Sequence, residues 1–353
     1  MNESRCYPME LTEIVSQAVA LHASDIHLSA NNKPACRVNG RVRFFDLPTL
    51  TSDDVAGLIR QCLSREKYDR FSKTGDVDAA ADLPGCGRFR VNAFRQTRGD
   101  SLVLRVINAK TPELDELRLP ASIRKILTYQ DGLVLVTGPT GSGKSTTLAA
   151  LINELNKTRS KHIITIEDPI EYLHTPKKCI VNQREVGADS VSYATALRAA
   201  LREDPDIILV GEMRDLESVS IAVTAAETGH LVFSTLHTSG AAKTIDRLID
   251  VFPPEQQQQI RTQLSMALRC VVSQHLLPTA DGRGRVAAFE MMFVNNAVAN
   301  LIREGKTANI TQMIQTGAAD GMVTLRNSLL SLVEEGTVSR EAAAEYLPRG
   351  FSD

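Results

Sequence analysis

Leu133-Val134-Leu135-Val136-Thr137-Gly138-Pro139-Thr140-Gly141-Ser142-Gly143-Lys144-Ser145-Thr146 decides the fold. The part from Gly138 to Ser145 fits Gly-x4-Gly-Lys-[Ser/Thr]. The apolar run before it reads as a buried strand, and Leu148, Leu151 and Leu155 after it read as a helix. Each residue type has a physical task. Glycines let the backbone curl so that successive N–H groups point at phosphate oxygens, and the helix N-terminus adds the positive end of its dipole. Lys144 is expected to reach the β- and γ-phosphates, and the Ser145 hydroxyl to hold Mg²⁺. Gly138, Pro139, Thr140, Gly141, Ser142, Gly143, Lys144, Ser145 and Thr146 are therefore candidate nucleotide-binding residues, with ATP and Mg²⁺ as the implied ligands. The bare pattern arises by chance in roughly one chain in a hundred of this length, and the strand and helix flanks lower that further.

Hydrolysis needs more than binding: water must be positioned and the metal held. Ligands of open α/β sheets bind beyond the carboxyl ends of the strands. After Ile163-Ile164-Thr165-Ile166 come Glu167, Asp168 and Glu171, and after Ile207-Ile208-Leu209-Val210 come Gly211 and Glu212. Gly211 stands where most P-loop enzymes carry a metal-binding Asp, so Glu212 is expected to take over part of the metal duty with Ser145. Acids after strands also cap helices or pair with arginines, and for Glu167 that alternative stays open. His230 and His237 flank a fourth strand. Seven-residue spacing without a third ligand argues against zinc. His237 fits a hydrogen-bonding sensor of the γ-phosphate, whereas His230 is open between that role and a core position.

The surrounding chain reads as two domains. Its 353 residues are too many for one typical core. Leu11, Ile14, Val15, Ala18 and Leu21 form a helical stripe, and Asp25 to Leu28 alternate like a strand. Asn39-Gly40 is a two-residue hairpin signal, residues 52–72 read as helix, and further strands run from Asp76 to Ile107. Residues 1–107 are thus expected to form a small α+β domain with an antiparallel sheet. Residues 108–120, with two prolines and little periodicity, read as a linker. From 121 to 353, continuous apolar strands alternate with helices, which argues for a parallel sheet covered on both faces. Beyond Pro254 the pattern reads as mostly helical.

Composition narrows the function classes. The formal net charge of −2 gives no sign of a nucleic-acid groove or a polybasic anchor. The six cysteines include no Cys-x-x-Cys pair, which argues against a zinc ribbon and fits a reducing cytoplasm. No signal peptide and no run of ~18 apolar residues is visible, so work at a membrane is expected to go through an embedded partner.

Taken together, these blocks resemble the type II/IV secretion ATPase superfamily. The resemblance is carried by Gly138 to Thr146, by Ile164-Thr165-Ile166-Glu167-Asp168-Pro169-Ile170-Glu171, by Leu201 to Asp215, and by the histidine box from Thr224 to Thr238. It runs from Ala23-Ser24-Asp25-Ile26-His27-Leu28-Ser29 to Gly317. The pilus-retraction branch matches best, through Asn182-Gln183-Arg184-Glu185 and Ala288-Phe289-Glu290, a short N-terminal part and no tetracysteine module. One departure is Ala299, where retraction members tend to carry an arginine. The resemblance implies a PAS-like N-terminal domain, a RecA-like ATPase domain and a hexameric ring. It implies Glu171 as the base that orients the attacking water, Glu212 at the metal, and both histidines at the nucleotide.

It also implies that Arg90 and Arg105 approach the γ-phosphate. Alternation puts Arg88, Arg90 and Asn92 on one strand face and Phe89, Val91 and Ala93 on the other. An acid partner such as Asp76 or Asp78 is the competing role. Arg198 and Arg202 fit either the nucleotide, a neighbouring subunit or a surface ion pair. The expected function is a cytoplasmic motor ATPase at the inner membrane that drives type IV pilus retraction. Its expected partners are a homohexamer, a membrane platform protein and a second retraction ATPase, with no nucleic acid. The alternatives are a pilus assembly or type II secretion ATPase, a nucleotide-gated subunit with weak turnover, and a DNA translocase.

Overall fold

The computed structural model describes residues 10–38, 40–107 and 111–346. The chain divides into two compact units, Met1–Lys110 and Thr111–Asp353. Cys6 and Asn39 lie outside the described residues. The stretch read as a linker divides as well. Residues 108–110 are outside the description, whereas 111–120 belong to the second unit, where Leu114 is buried in the core.

In the first unit, α1 (Leu11–Ala20) precedes β1 (Asp25–Ser29), β2 (Ala35–Val38) and β3 (Arg41–Phe44). Then come α2 (Ser52–Cys62), α3 (Arg65–Thr74), β4 (Asp76–Leu83), β5 (Gly87–Gln96) and β6 (Gly99–Ile107). The six strands form one antiparallel sheet in the order β3-β2-β1-β6-β5-β4. Gly40 takes the positive φ of 78° that the β2–β3 turn needs. The helix expected over 52–72 is two helices. Thr51 and Asp54 close a capping box on α2, and the Ser64 hydroxyl accepts the Lys67 N–H at 3.4 Å to start α3. On β5 the alternation holds: Phe89, Val91 and Ala93 are fully buried.

The second unit carries β7 (Gly132–Thr137), α4 (Lys144–Thr158), β8 (His162–Glu167), β9 (Ile180–Glu185) and α5 (Tyr193–Ala200). They are followed by β10 (Ile207–Val210), α6 (Leu216–Glu227), β11 (Leu231–Leu236), α7 (Ala241–Asp250), α8 (Pro254–Ala267), β12 (Leu268–Pro278) and β13 (Arg285–Phe293). The sheet order is β13-β12-β7-β11-β10-β8-β9, with parallel pairing throughout except for the antiparallel β12–β13 pair. Every residue of β7, β10 and β11 is buried, as a strand covered on both faces requires. This parallel core with a phosphate loop after β7 is RecA-like.

The expectation of mostly helix beyond Pro254 is corrected by β12 and β13. Val271-Val272 and Leu276-Leu277, separated by Ser273, Gln274 and His275, suit a helix or a strand equally, and periodicity alone does not separate them. Pairing decides it: β12 runs beside β7, with an irregularity between Leu268 and Cys270. Helices resume at Asn296–Arg303.

Phe233 is fully buried on the central strand β11. We expect Phe233→Ala to cost about 3–5 kcal/mol, as large aromatic truncations in packed cores do. Equilibrium unfolding in urea measures this, and a loss under about 1 kcal/mol would mean that the sheet centre is not the packed core described.

Candidate functional site

The phosphate loop is shaped by positions that exclude side chains. At Gly138, with φ 142°, an added Cβ would stand 2.2 Å from the Gln274 carbonyl oxygen and 2.7 Å from the Ser142 Oγ. Gly143, at φ 89°, is the N-cap of α4 and supplies no side-chain cap. The first-turn amides of α4 are therefore left for a ligand. Lys144 is buried at 8% exposure. Its Nζ donates to the carbonyl oxygens of Gly138 (2.9 Å) and Pro139 (3.1 Å), and lies 3.4 Å from His237 Nδ1. Burial pushes the Lys144 pKa down, while Glu212 and Glu171 pull against that shift.

Glu212 follows β10. Burial works against its charged form, but the Arg214 guanidinium at 2.7 Å and His237 Nε2 at 3.4 Å outweigh it and hold its pKa below the ordinary value. Gly211 has a steric reason. A Cβ there would meet the Tyr193 hydroxyl at 3.1 Å and the Ile166 carbonyl oxygen at 3.2 Å, so the loop carries its acid one residue later. Glu167 ends β8. Its carboxylate accepts from Thr165 Oγ1 at 2.7 Å and from Gln183 Nε2 at 3.2 Å. Burial pushes its pKa up to about 7, against those bonds and one from the Glu171 backbone, with the Glu171 charge adding to the rise.

These groups converge on a cavity of about 880 Å³ at the carboxyl ends of β7, β8, β10 and β11. That volume lies in the range of small-molecule sites. Lys144, Glu171, Glu212 and His237 line it, and Leu276 and Arg285 extend it along the β12–β13 pair.

The structure brings most of the expected residues together. Thr140, Gly141, Ser142, Gly143, Lys144, Ser145 and Thr146 line the cavity with Glu171, Glu212 and His237. Gly138 and Pro139 stand behind the loop and hold Lys144 through their carbonyls. His230 is a correction: it precedes β11 whereas His237 follows it, so six strand residues put the two roughly 20 Å apart. Its Nδ1 lies 3.0 Å from the Ala225 carbonyl oxygen, and it does not line the cavity. Arg198 pairs with Glu217.

In the first unit, Arg90 and Arg105 are direct cross-strand neighbours. Arg105 Nε donates to Asp25 at 2.8 Å, and Arg90 Nε lies 3.9 Å from Asp78. Sequence reasoning underweighted Glu167 and missed Gln274, Tyr172 and Arg214. Gln274 Nε2 donates to the Ser142 carbonyl at 2.6 Å, and its Oε1 accepts from Thr147 Oγ1 at 2.9 Å. Thr146 Oγ1 lies 3.0 Å from the Tyr172 hydroxyl. Gln274 lies in the polar triplet Ser273-Gln274-His275, so nothing local in the sequence marks it.

The family model for type II/IV secretion system protein matches residues 3–345. The chain belongs to this family. Among its relatives, the type IV pilus retractation ATPase PilT of Pseudomonas aeruginosa is 51% identical over 97% of this chain and 100% of its own length. A twitching motility protein of Neisseria gonorrhoeae is 51% identical over 88% of this chain and 83% of its own. A crystal structure of the pilus retraction motor PilT with bound ADP aligns over 97% of this chain and 98% of that one, at 47% identity and a TM-score of 0.91. This secretion-family chain is an ATPase and binds nucleotide, and the α/β fold class with a RecA-like unit is borne out.

Because its pKa is raised, Glu167 holds a proton in the folded chain that the unfolded chain releases at an ordinary carboxylate pH. The stability it contributes is full below the ordinary glutamate range and is lost as pH rises through about 7. Glu167→Gln, neutral at all pH, should flatten that part of the decline. Melting temperatures of both proteins across that window check it, and parallel curves would remove Glu167 as the titrating group.

Proposed function

We propose that this chain is the motor ATPase of type IV pilus retraction, working as a homohexamer whose subunits hydrolyse ATP at the cavity beyond β7. The observation that carries the reading is the convergence of Lys144, Glu171, Glu212 and His237 on one cavity at the carboxyl ends of four strands. Support for the task comes from relatives at 51% identity across nearly the whole chain.

The roles follow from chemistry. The α4 amides and Lys144 take the β- and γ-phosphates, so the buried ammonium exchanges carbonyl oxygens for anionic ones. Among the described residues no three or more His, Cys, Asp and Glu side chains are grouped so that they alone could hold a metal ion. Mg²⁺ needs no such group, since it binds through one or two protein groups plus substrate phosphates and water. Ser145 and Glu212 would hold it, and bound there it neutralises charge on the phosphate oxygens. Glu171 orients the attacking water and takes its proton. His237, between Thr140, Lys144 and Glu212, is placed to register the γ-phosphate. Arg90 and Arg105 form a cationic pair of the kind that answers a phosphoryl group. Asp25 and Asp78 hold that pair meanwhile.

No helix among the described residues is long and apolar enough to cross a membrane. By its likeness to pilus-retraction relatives, the motor is read as a cytoplasmic protein held at the inner membrane by a platform protein of the pilus machine, with a second retraction ATPase assisting it.

Lys144→Ala and Glu212→Ala should each lower steady-state phosphate release by at least about a hundredfold with the fold intact by circular dichroism. Wild-type turnover in either would mean the site is misassigned. Deleting the gene should leave cells hyperpiliated and unable to twitch. Bald cells would instead make the chain an assembly ATPase.

A further inference from the structure

Gln274 is 1% exposed on β12, far in sequence from the phosphate loop, yet it grips that loop from both sides. Its Nε2 donates to the Ser142 carbonyl at 2.6 Å, and its Oε1 accepts from Thr147 Oγ1, in the first turn of α4, at 2.9 Å. The fit is close. A Cβ on Gly143 would lie 3.1 Å from Gln274 Nε2, and Gly138 packs directly on the Gln274 carbonyl. A trans peptide holds its C=O and the next N–H in one plane, pointing in opposite directions. Fixing the Ser142 carbonyl outward therefore aims the Gly143 N–H the other way, into the curl of the loop.

The same strand holds a second loop. Ser273 and Gln274 are consecutive on β12 and point to opposite faces. Ser273 Oγ accepts the Gly240 N–H at 2.9 Å, and Glu290, its cross-strand partner on β13, accepts the Ala241 N–H at 2.8 Å. Gly240 and Ala241 begin α7, three and four residues after His237. The phosphate loop and the loop carrying His237 are thus pinned to one pair of strands.

We propose that Gln274 is a positioning residue for ATP turnover: its amide is the clasp that aims the phosphate-loop N–H groups, and β12 keeps that loop in register with His237 through Ser273 and Glu290. The proposal rests on the nucleotide reading of the cavity. Gln274 touches no reacting atom in this account and acts through the backbone of Ser142 and Gly143.

A clasp of this kind serves bound substrate and transition state alike, so its loss is expected in KM more than in kcat. The test compares wild type with Gln274→Met, which keeps length and loses both hydrogen bonds, and with Thr147→Val, which frees the amide oxygen. We expect KM for ATP to rise about tenfold in the first and about threefold in the second, from losing two and one hydrogen bonds. The gain in melting temperature on adding ADP should shrink in parallel. The double variant should be no worse than Gln274→Met, since both changes break one clasp. Wild-type KM and ADP response in Gln274→Met, whatever its melting temperature without nucleotide, would overturn the proposal. If that variant does not fold, an unchanged KM in Thr147→Val overturns it equally. Absence of ATP turnover and ADP binding in the wild-type protein is a different failure and would remove the nucleotide reading itself.

Discussion

An ammonium buried at the mouth of a parallel sheet must be answered by oxygen, and the site is organised by how Lys144 is answered. Its Nζ sits on the carbonyls of Gly138 and Pro139. Those oxygens carry only partial charge, while Glu171 and Glu212 stand near enough to favour its protonated form. A lysine in this balance is desolvated yet not tied to a carboxylate at bonding distance. It is ready for an anion that brings more charge than two peptide dipoles do. Had Glu212 bonded Lys144 directly, a phosphate would have had to break a buried ion pair to enter, at a cost of several kcal/mol. Instead Glu212 is occupied by Arg214 and His237. The cationic and anionic sides of the site are held apart by partners that each can give up.

Holding them apart is the work of the sheet. Parallel strands end on the same side, so β7, β8, β10 and β11 deliver the phosphate loop, the acids after β8, Glu212 and His237 to one edge without any long loop. The strand order makes neighbours of segments distant in sequence. β11, with His237 at its end, lies between β7 and β10, which fits a histidine touching both Lys144 and Glu212.

What the sequence disclosed, and what it withheld, follows the range of the interactions. The phosphate loop was legible because its glycines, lysine and flanking elements are contiguous, and Glu171 and Glu212 were singled out because the blocks that follow β8 and β10 resemble the family's. The β2–β3 turn was legible, like the phosphate loop, from contiguous residues. Gln274 was not, since its partner Ser142 is 132 residues away and nothing local announces the contact. The β12–β13 pair was misread because short apolar pairs broken by polar residues do not choose between helix and strand; its place beside β7 chose. His230 is the instructive error. The six residues between the histidines, Leu231 to Leu236, were visible as a strand, and a strand of that length already separates its ends by roughly 20 Å. Two histidines flanking one strand therefore cannot share a small cavity within one chain.

Gly211 shows how packing reaches into chemistry. Position 211 is wedged between the Tyr193 hydroxyl and the end of β8, so a side chain there meets contacts of 3.1 and 3.2 Å. The carboxylate stands instead at 212, beyond the end of β10. There Glu212 finds Arg214 and His237 and is held ionised despite its burial. An acid kept charged by an arginine and a histidine is available to a metal only as those partners yield. His237, shared with Thr140 and Lys144 at the phosphate side, is the partner that an arriving nucleotide disturbs. One imidazole thus stands between the phosphate-loop side of the site and the Glu212 carboxylate.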